Sequence, residues 1–251
     1  MRIETEALIV YRGGTRAVDA VSLGIEAGRW TGLIGANGSG KTSLLRALAG
    51  RLETGGGRIF ADGEDRTSNR AWRAQNIGFA PDASALPGLL SGRELFEILA
   101  GKIPGEARDD PLRPLRCALD FDPFLDRRIG ALSAGMRQRL AIFAAFLTRP
   151  RAVILDEPFN WLDPICAFDT KEALKTLVAG EKLTLIAALH ETATLIGYCD
   201  AGLLLADGRL RLSLGPAEIA AGARDYPAFE AAIIANLRGA GLPVVSLGRT
   251  A

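Results

Sequence analysis

Residues Gly35-Ala36-Asn37-Gly38-Ser39-Gly40-Lys41-Thr42 follow the pattern G-x-x-x-x-G-K-[ST], and this stretch decides the fold. Its glycines let the backbone turn so that successive N–H groups point at phosphate oxygens. The helix predicted from Ser43 to Ala49 adds its positive dipole end. Lys41 would neutralise the β- and γ-phosphates, while the hydroxyl of Thr42 would bind Mg²⁺. The stretch, including Ser43, therefore predicts a nucleotide-binding loop.

Outward from this loop, short apolar runs alternate with helical patterns, which favours an α/β fold with a largely parallel central sheet. Val18 to Glu26 alternates apolar and polar residues, as a half-buried strand does. Asp207-Gly208 precedes the run Arg209 to Leu214 and predicts a hairpin. The predicted buried strands are Trp30 to Ile34, Ala152 to Leu155, Thr184 to Leu189 and Gly202 to Leu205.

The pattern becomes helical between residues 86 and 150, which predicts a helical subdomain inserted into a core made of residues 1–85 and 150–215. The polar stretch from Asp62 to Gln75 is interpreted as a surface excursion. Residues 216–251 are predicted to hold one helix, from Tyr226 to Arg238, followed by a loose tail. The whole chain is therefore interpreted as one domain.

The predicted strand Ala152 to Leu155 ends in the acidic pair Asp156-Glu157. Ligands of open α/β sheets bind at the carboxyl ends of the strands, where these two side chains would lie. Asp156 is a candidate for holding Mg²⁺ through its water shell, and Glu157 for polarising an attacking water as a general base. Together with the glycine-rich loop, the pair predicts nucleotide hydrolysis.

Composition excludes several other functions. The 30 basic residues nearly balance the 29 acidic ones, which gives no reason to expect nucleic acid as a partner. No apolar run approaches the roughly 20 residues of a membrane-spanning helix, and Glu4 and Glu6 interrupt any leader-like run, so no membrane insertion or export is expected. The three cysteines form no C-x-x-C pair, which favours reduced thiols in a cytosolic protein.

Leu132-Ser133-Ala134-Gly135-Met136 resembles the signature sequence of the ABC ATPase family, and it lies shortly before the acidic pair, as in that family. Three further segments resemble family motifs. Tyr11 precedes the glycine-rich loop, Asn160-Trp161-Leu162-Asp163 follows Glu157 as a D-loop, and His190 follows the strand Thr184 to Leu189. The resemblance covers roughly residues 3–215.

The resemblance implies a fold, a ligand and a partner. The fold is a P-loop NTPase core, RecA-like with a mostly parallel sheet, plus an antiparallel β subdomain and the helical insertion. The ligands are ATP and Mg²⁺. The active unit is a dimer, formed with a second copy or a related ATPase subunit, which holds two ATP molecules at its interface.

The resemblance also assigns roles to single residues. Ser133 and Gly135 would cap the γ-phosphate held by the partner's loop, and Asp163 would contribute from the D-loop. His190 would bind the γ-phosphate and fix the geometry of Glu157. Tyr11 would stack on adenine.

Four positions depart from the family pattern. Asp82 stands where the family has Gln, and it is expected to approach Mg²⁺ or to serve coupling. The signature has Ala134 for Gly and Met136 for Gln, and it keeps Ser133 and Gly135. Trp161 is bulkier than the usual D-loop residue, and the sequence gives no role for it.

The sequence therefore predicts the ATP-hydrolysing subunit of an ABC transporter, located on the cytoplasmic face of the membrane. It would drive a separate transmembrane permease, which would contact residues Ala83 to Leu90. The signature and the Pro81-Asp82 junction resemble exporter-type subunits more than importers. The alternative is a soluble ABC ATPase acting with cytosolic partners, for example of the iron–sulfur assembly type.

Overall fold

The computed structural model describes residues 1–101 and 103–239. Its main sheet has six strands in the order β10-β9-β3-β8-β7-β6, and all of them are parallel except β10, which pairs antiparallel with β9. The predicted parallel core is therefore confirmed. The strands are β3 (Trp30–Ile34), β6 (Ile77–Ala80), β7 (Ala152–Leu155), β8 (Thr184–Leu189), β9 (Ala201–Ala206) and β10 (Arg209–Leu214).

A second sheet of four antiparallel strands has the order β2-β1-β4-β5. Every second residue of β2 is buried from Val21 to Ile25, because successive side chains point to opposite faces of a strand. This sheet is the predicted antiparallel β subdomain. Its strands are β1 (Ile3–Arg12), β2 (Thr15–Ile25), β4 (Gly56–Ala61) and β5 (Glu64–Asp65).

Helix α1 (Lys41–Leu48) packs between the two sheets. Leu44 and Leu45 are fully buried, and they share one core with Val10 of β1 and Leu33 of β3. The opposite face of the main sheet is covered by α6 (Pro164–Glu181), α7 (Thr192–Tyr198), α8 (Pro216–Arg224) and α9 (Tyr226–Leu237). The glycine-rich loop is thus fixed at the start of a helix that is packed in the core.

The described residues between 86 and 150 form helices and contribute no strand to either sheet, as the sequence predicts. Phe96, Phe121 and Phe143 meet at the centre of this helical segment with ring centroids 4.7–5.6 Å apart. The first helix begins with a capping box between Ser91 and Glu94. The helices are α3 (Gly92–Ala100), α4 (Arg113–Leu119) and α5 (Ala134–Ala144).

The polar stretch 62–75 lies largely at the surface, and it is also structured. It contains β5 and most of α2 (Arg70–Asn76), and its one buried residue, Arg73, donates a hydrogen bond to the carbonyl of Thr67. One expectation about the C-terminal segment was wrong. The C-terminal segment holds two helices, because Pro216 starts α8 before α9 begins. The predicted tail, residues 240–251, lies outside the described residues.

Within residues 1–101 and 103–239, no helix is long and apolar enough to cross a membrane.

Candidate functional site

The glycine-rich loop connects β3 to α1 and turns through two glycines in the left-handed region, Gly38 at φ 80° and Gly40 at φ 103°. A side chain at Gly40 would collide with the carbonyl oxygen of Ala17. A Cβ at Gly38 would meet nothing within 4 Å, because that face of the loop is open. The loop therefore presents its backbone to a cavity, as a phosphate-binding loop must.

Lys41 is almost fully buried and its Nζ donates hydrogen bonds to the carbonyls of Gly35 and Ala36, at 2.7 and 3.2 Å. The same nitrogen lies 3.8 Å from Oε1 of Glu157. Burial lowers the pKa of Lys41, and the nearby carboxylates of Glu157 and Asp156 oppose that shift. The backbone carbonyls of the loop thus hold the Lys41 ammonium in place.

Thr42 donates a hydrogen bond from its hydroxyl to Oδ1 of Asp156, at 3.1 Å. Asp156 follows β7 and is 5% exposed. Burial raises the pKa of Asp156, while the hydrogen bond from Thr42 lowers it. The structure therefore brings together the two oxygen donors, a hydroxyl and a carboxylate, that the sequence assigned to Mg²⁺.

Glu157 has a left-handed backbone, with φ of 53°, which costs a non-glycine residue about 1–2 kcal/mol. Its Oε1 lies 2.9 Å from Nε2 of His190, and its Oε2 accepts a hydrogen bond from Nδ2 of Asn160, at 2.8 Å. Strained backbone of this kind concentrates at functional sites. The carboxylate is thus aimed and held from two sides.

A cavity of about 710 Å³ lies over the loop. The hairpin turn at Asp207 and Gly208 borders it and clamps the loop, since the Gly208 N–H donates to the carbonyl of Ser39 at 2.9 Å. The described residues that line it are Arg12, Thr15, Arg16, Ala17, Asn37, Gly38, Ser39, Gly40, Lys41, Thr42, Ser43, Glu157, Asp207 and Gly208.

Tyr11 is not among the described residues that line the cavity, although its neighbours Arg12 and Arg16 are. Its ring is 45% exposed, would collide with a Cβ at Gly55, and lies 5.8 Å from the guanidinium carbon of Arg16. Adenine stacking by Tyr11 therefore stays a prediction. Sequence reasoning missed Arg16, whose planar guanidinium can also stack on a ring.

Asp82 is exposed and does not line the cavity as described. It caps a short 3₁₀ turn, accepting hydrogen bonds from the N–H and the hydroxyl of Ser84 at 2.8 and 2.5 Å. These bonds lower the pKa of Asp82, and the nearby side chain of Trp161 adds to the effect. The carboxylate thus lies between the segment after β6 and the D-loop, and its metal role stays a prediction.

The signature segment, residues 132–136, lies against the D-loop of the same chain. Ser133 caps α5 by accepting a hydrogen bond from the N–H of Met136, at 3.2 Å. A Cβ at Gly135 would lie 2.6 Å from the carbonyl oxygen of Trp161. Asp163 accepts from Arg139 of α5 at 2.8 Å, and it also caps α6. Ser133, Gly135 and Asp163 do not line the cavity among the described residues.

The residues at the cavity fit a magnesium-bound nucleoside triphosphate. The loop has an open face, a buried ammonium and a hydroxyl–carboxylate pair, and the buried hydroxyl of Ser39 has no hydrogen-bond partner in the described structure. A triphosphate supplies acceptors for the N–H groups and for Lys41.

Sequence reasoning missed Asn160 as an anchor of Glu157, although its position three residues later could have suggested it.

Comparison with known proteins identifies the family. The model of the family described as ABC transporter matches residues 18–160. The chain is 34% identical over 205 residues to the phosphonates import ATP-binding protein PhnC 1 of Natronomonas pharaonis, covering 80% of this chain and 88% of that protein. It is 32% identical over 205 residues to the Fe(3+) ions import ATP-binding protein FbpC of Serratia marcescens, covering 78% of this chain and 57% of that protein.

A solved structure, described as the ATP binding subunit of an ABC transporter, has the same fold. It superposes with a TM-score of 0.73 at 25% identity and covers 85% of this chain and 89% of the other. The chain therefore belongs to the ABC transporter family, as one of its ATP-binding and ATP-hydrolysing subunits with Mg²⁺ as the accompanying cation.

Proposed function

We propose that five side chains at the carboxyl ends of β3, β7 and β8 carry out ATP hydrolysis: Lys41, Thr42, Asp156, Glu157 and His190. The observation that carries this proposal is their convergence. The carboxylate of Glu157 lies 2.9 Å from His190 and 3.8 Å from Lys41, and Thr42 donates to Asp156. Residues from three separate parts of the sequence thus meet at one edge of the sheet.

Each side chain has a distinct task in this scheme. Lys41 releases the loop carbonyls and binds the phosphates, while Thr42 and Asp156 hold Mg²⁺, which neutralises charge on the phosphate oxygens when bound. Glu157 accepts a proton from the attacking water. His190 and Asn160 keep the carboxylate of Glu157 aimed at that water.

The signature and the D-loop are proposed to act on the nucleotide of a partner subunit. In this chain they form one surface beside the cavity and not within it, because Gly135 contacts the carbonyl of Trp161 and Arg139 binds Asp163. Three large apolar side chains are exposed in the D-loop and at the start of α6. Their exposed fractions are 55% for Trp161, 75% for Ile165 and 57% for Phe168. A second copy or a related ATPase subunit would cover them.

A separate membrane-spanning permease is the proposed driven partner, which would place this subunit at the cytoplasmic face of the membrane. The curated relatives carry transport names. The helical segment also exposes three leucine or isoleucine side chains, Leu89 at 85%, Ile98 at 69% and Leu99 at 46%, close to the predicted coupling segment 83–90. Those relatives are named for import, which favours import over the direction suggested by the exporter-like signature.

A pull-down from native membranes tests this partner. Tagged Glu157→Gln protein is captured in mild detergent with Mg-ATP, and the wild type without nucleotide serves as the control. A multi-spanning polypeptide enriched with the variant supports a transporter. Soluble partners alone, found reproducibly, would replace the transporter with a cytosolic ABC ATPase, for example one of the iron–sulfur assembly type.

A further inference from the structure

The first turn of α7, which follows His190 directly, is tied to the C-terminal helix α9 by three polar side chains. The hydroxyls of Thr192 and Tyr226 lie 2.9 Å apart, and Oε1 of Glu230 lies 2.8 Å from the first and 2.7 Å from the second. Two hydroxyl hydrogens serve these three contacts, so two of the contacts can be hydrogen bonds at any moment. The hydrogen bonds from Tyr226 and Thr192 lower the pKa of Glu230, so its acceptor is a carboxylate.

This contact supplies what the start of α7 lacks. Glu191 stands at the N-cap of α7 and makes no capping hydrogen bond from its side chain. Thr192 is only 7% exposed, so its hydroxyl needs a partner within the protein. On the other side of the helix, Lys171 of α6 donates to the hydroxyl of Thr194 at 2.9 Å. The helix is therefore held between α6 and α9.

Helix α9 is a firm base for this contact. Phe229 and Ile233 are fully buried, and a Cβ at Gly222 of α8 would lie 2.5 Å from the ring of Phe229. Tyr226 and Glu230 lie one turn apart and therefore share one face of α9. Asp225 caps this helix by accepting from the N–H of Ala228, at 3.2 Å. Tyr226 and Glu230 thus reach the first turn of α7 from a packed helix.

We propose that Tyr226 and Glu230 are positioning residues for ATP hydrolysis, which hold the loop carrying His190 against Glu157 by binding Thr192. The inference rests on the proposed role of His190. Only two residues, His190 and Glu191, separate the strand β8 from the anchored Thr192. If the first turn of α7 loosens, His190 therefore moves with it. Its imidazole must stay 2.9 Å from the carboxylate of Glu157.

Four variants test the proposal in the full chain. Thr192→Val removes the hydroxyl and keeps the shape, whereas Thr192→Ser keeps the hydroxyl. Tyr226→Phe removes the phenolic group of α9. Tyr198→Phe is the matched control, because it removes a hydroxyl at the far end of α7 and keeps the ring contacts with Lys171 and Lys175.

Two readouts are measured on each variant. The first is ATP turnover at saturating Mg-ATP, together with the KM for ATP. The second is the NMR signal of the histidine ring, which is unambiguous because His190 is the single histidine of the chain. Melting temperatures accompany both and identify any variant that does not fold.

Thr192→Val and Tyr226→Phe are expected to lower kcat by about three- to tenfold, as the loss of one or two positioning hydrogen bonds does, with KM unchanged. Both should shift or broaden the His190 signal, while Thr192→Ser and Tyr198→Phe should leave signal and kcat near wild type. An unmoved His190 signal in folded Tyr226→Phe and Thr192→Val would overturn the proposal. Equal losses in Thr192→Ser and Thr192→Val would overturn it as well.

His190→Ala separates this inference from the proposed function. Full ATPase activity in His190→Ala would show that hydrolysis does not need His190. The NMR signal of His190 alone would then test whether the contact of Thr192 with Tyr226 and Glu230 positions this ring. If His190→Ala is inactive, a shifted signal with unchanged kcat in Tyr226→Phe would overturn the positioning role.

Discussion

The Nε2 atom of His190 lies 2.9 Å from Oε1 of Glu157, although the two residues come from different strand ends. Glu157 follows β7 and His190 follows β8, and these strands are parallel neighbours in the main sheet. Parallel neighbours have their carboxyl ends at the same edge of the sheet. The side chains of Glu157 and His190, which follow these ends, therefore meet there. The pair is therefore a product of the topology, and several predictions of function depend on it.

Glu157→Gln is expected to bind ATP normally and to lower turnover by about 10²–10⁴-fold, because an amide cannot accept the proton of the attacking water. The amide can still accept from Asn160, so the local geometry should remain. Phosphate release under saturating Mg-ATP measures the loss. Glu181→Gln, at the exposed end of α6, is the control and should retain full turnover. Rapid turnover by Glu157→Gln would remove Glu157 from the role of base.

Lys41→Ala is expected to raise the Kd for ATP by about 10- to 100-fold, since a hydrogen bond to a charged group contributes roughly 1.5–3 kcal/mol. The measurement is binding of a fluorescent ATP analogue with unlabelled ATP as competitor. Lys175→Ala removes an exposed lysine of α6 and should not change the Kd. An unaltered Kd in Lys41→Ala would contradict the assignment of the phosphate-binding loop.

Asp156→Asn is expected to stabilise the nucleotide-free protein at neutral pH and to abolish Mg²⁺-dependent hydrolysis. Burial raises the pKa of Asp156 above its unfolded value, so the folded state binds more protons between the two values. Stability therefore falls as pH rises through that window, and the full cost of the buried charge is present at neutral pH. The amide removes this cost and can still accept from Thr42.

Thermal unfolding without nucleotide tests the sign of this effect. A gain of about 1 kcal/mol corresponds to roughly 2–4 °C in Tm for a chain of this size. The wild type should also gain stability, relative to Asp156→Asn, as the pH is lowered toward the pKa of Asp156. A lower Tm for Asp156→Asn at neutral pH would show that the charged form contributes favourable contacts that outweigh its burial.

Gly135→Ala is expected to destabilise the chain by about 1–3 kcal/mol, because a Cβ there lies 2.6 Å from the carbonyl oxygen of Trp161 and must displace the D-loop. Gly180→Ala is the matched control within α6, where a Cβ meets nothing within 4 Å. That change should stabilise by up to about 1 kcal/mol, as alanine does in a helix. Urea unfolding compares the two variants, and equal stability would disprove the close contact at Gly135.

The local motifs could be predicted from sequence because each is encoded within a few residues. The glycine pattern at 35–42, the apolar run 152–155 ahead of Asp156, and the helix cap at Ser133 all lie where the sequence indicated. The limits of β3, β7 and β8 agree with the structure residue for residue. The boundaries proposed for the helical segment, at 86 and 150, stay predictions.

The remaining features depend on contacts between distant parts of the chain, which periodicity does not encode. Arg73 is charged and sits in a polar stretch, yet it is buried because loop carbonyls accept from its guanidinium. The sequence gives no role for Trp161, and its backbone carbonyl lies against Gly135, which is 26 positions earlier in the chain. Likewise, the contact of Thr192 with Tyr226 needs α9 to fold back onto α7.

The most direct test of the central claim is the oligomeric state of Glu157→Gln, measured by light scattering after size exclusion with and without Mg-ATP. Glu157→Gln is expected to be a monomer without nucleotide and a dimer with Mg-ATP, and the dimer should be lost when Lys41→Ala is added to it. A chain that binds Mg-ATP and remains monomeric at every concentration, alone and with its related ATPase subunits, would contradict a site completed by the signature of a second subunit.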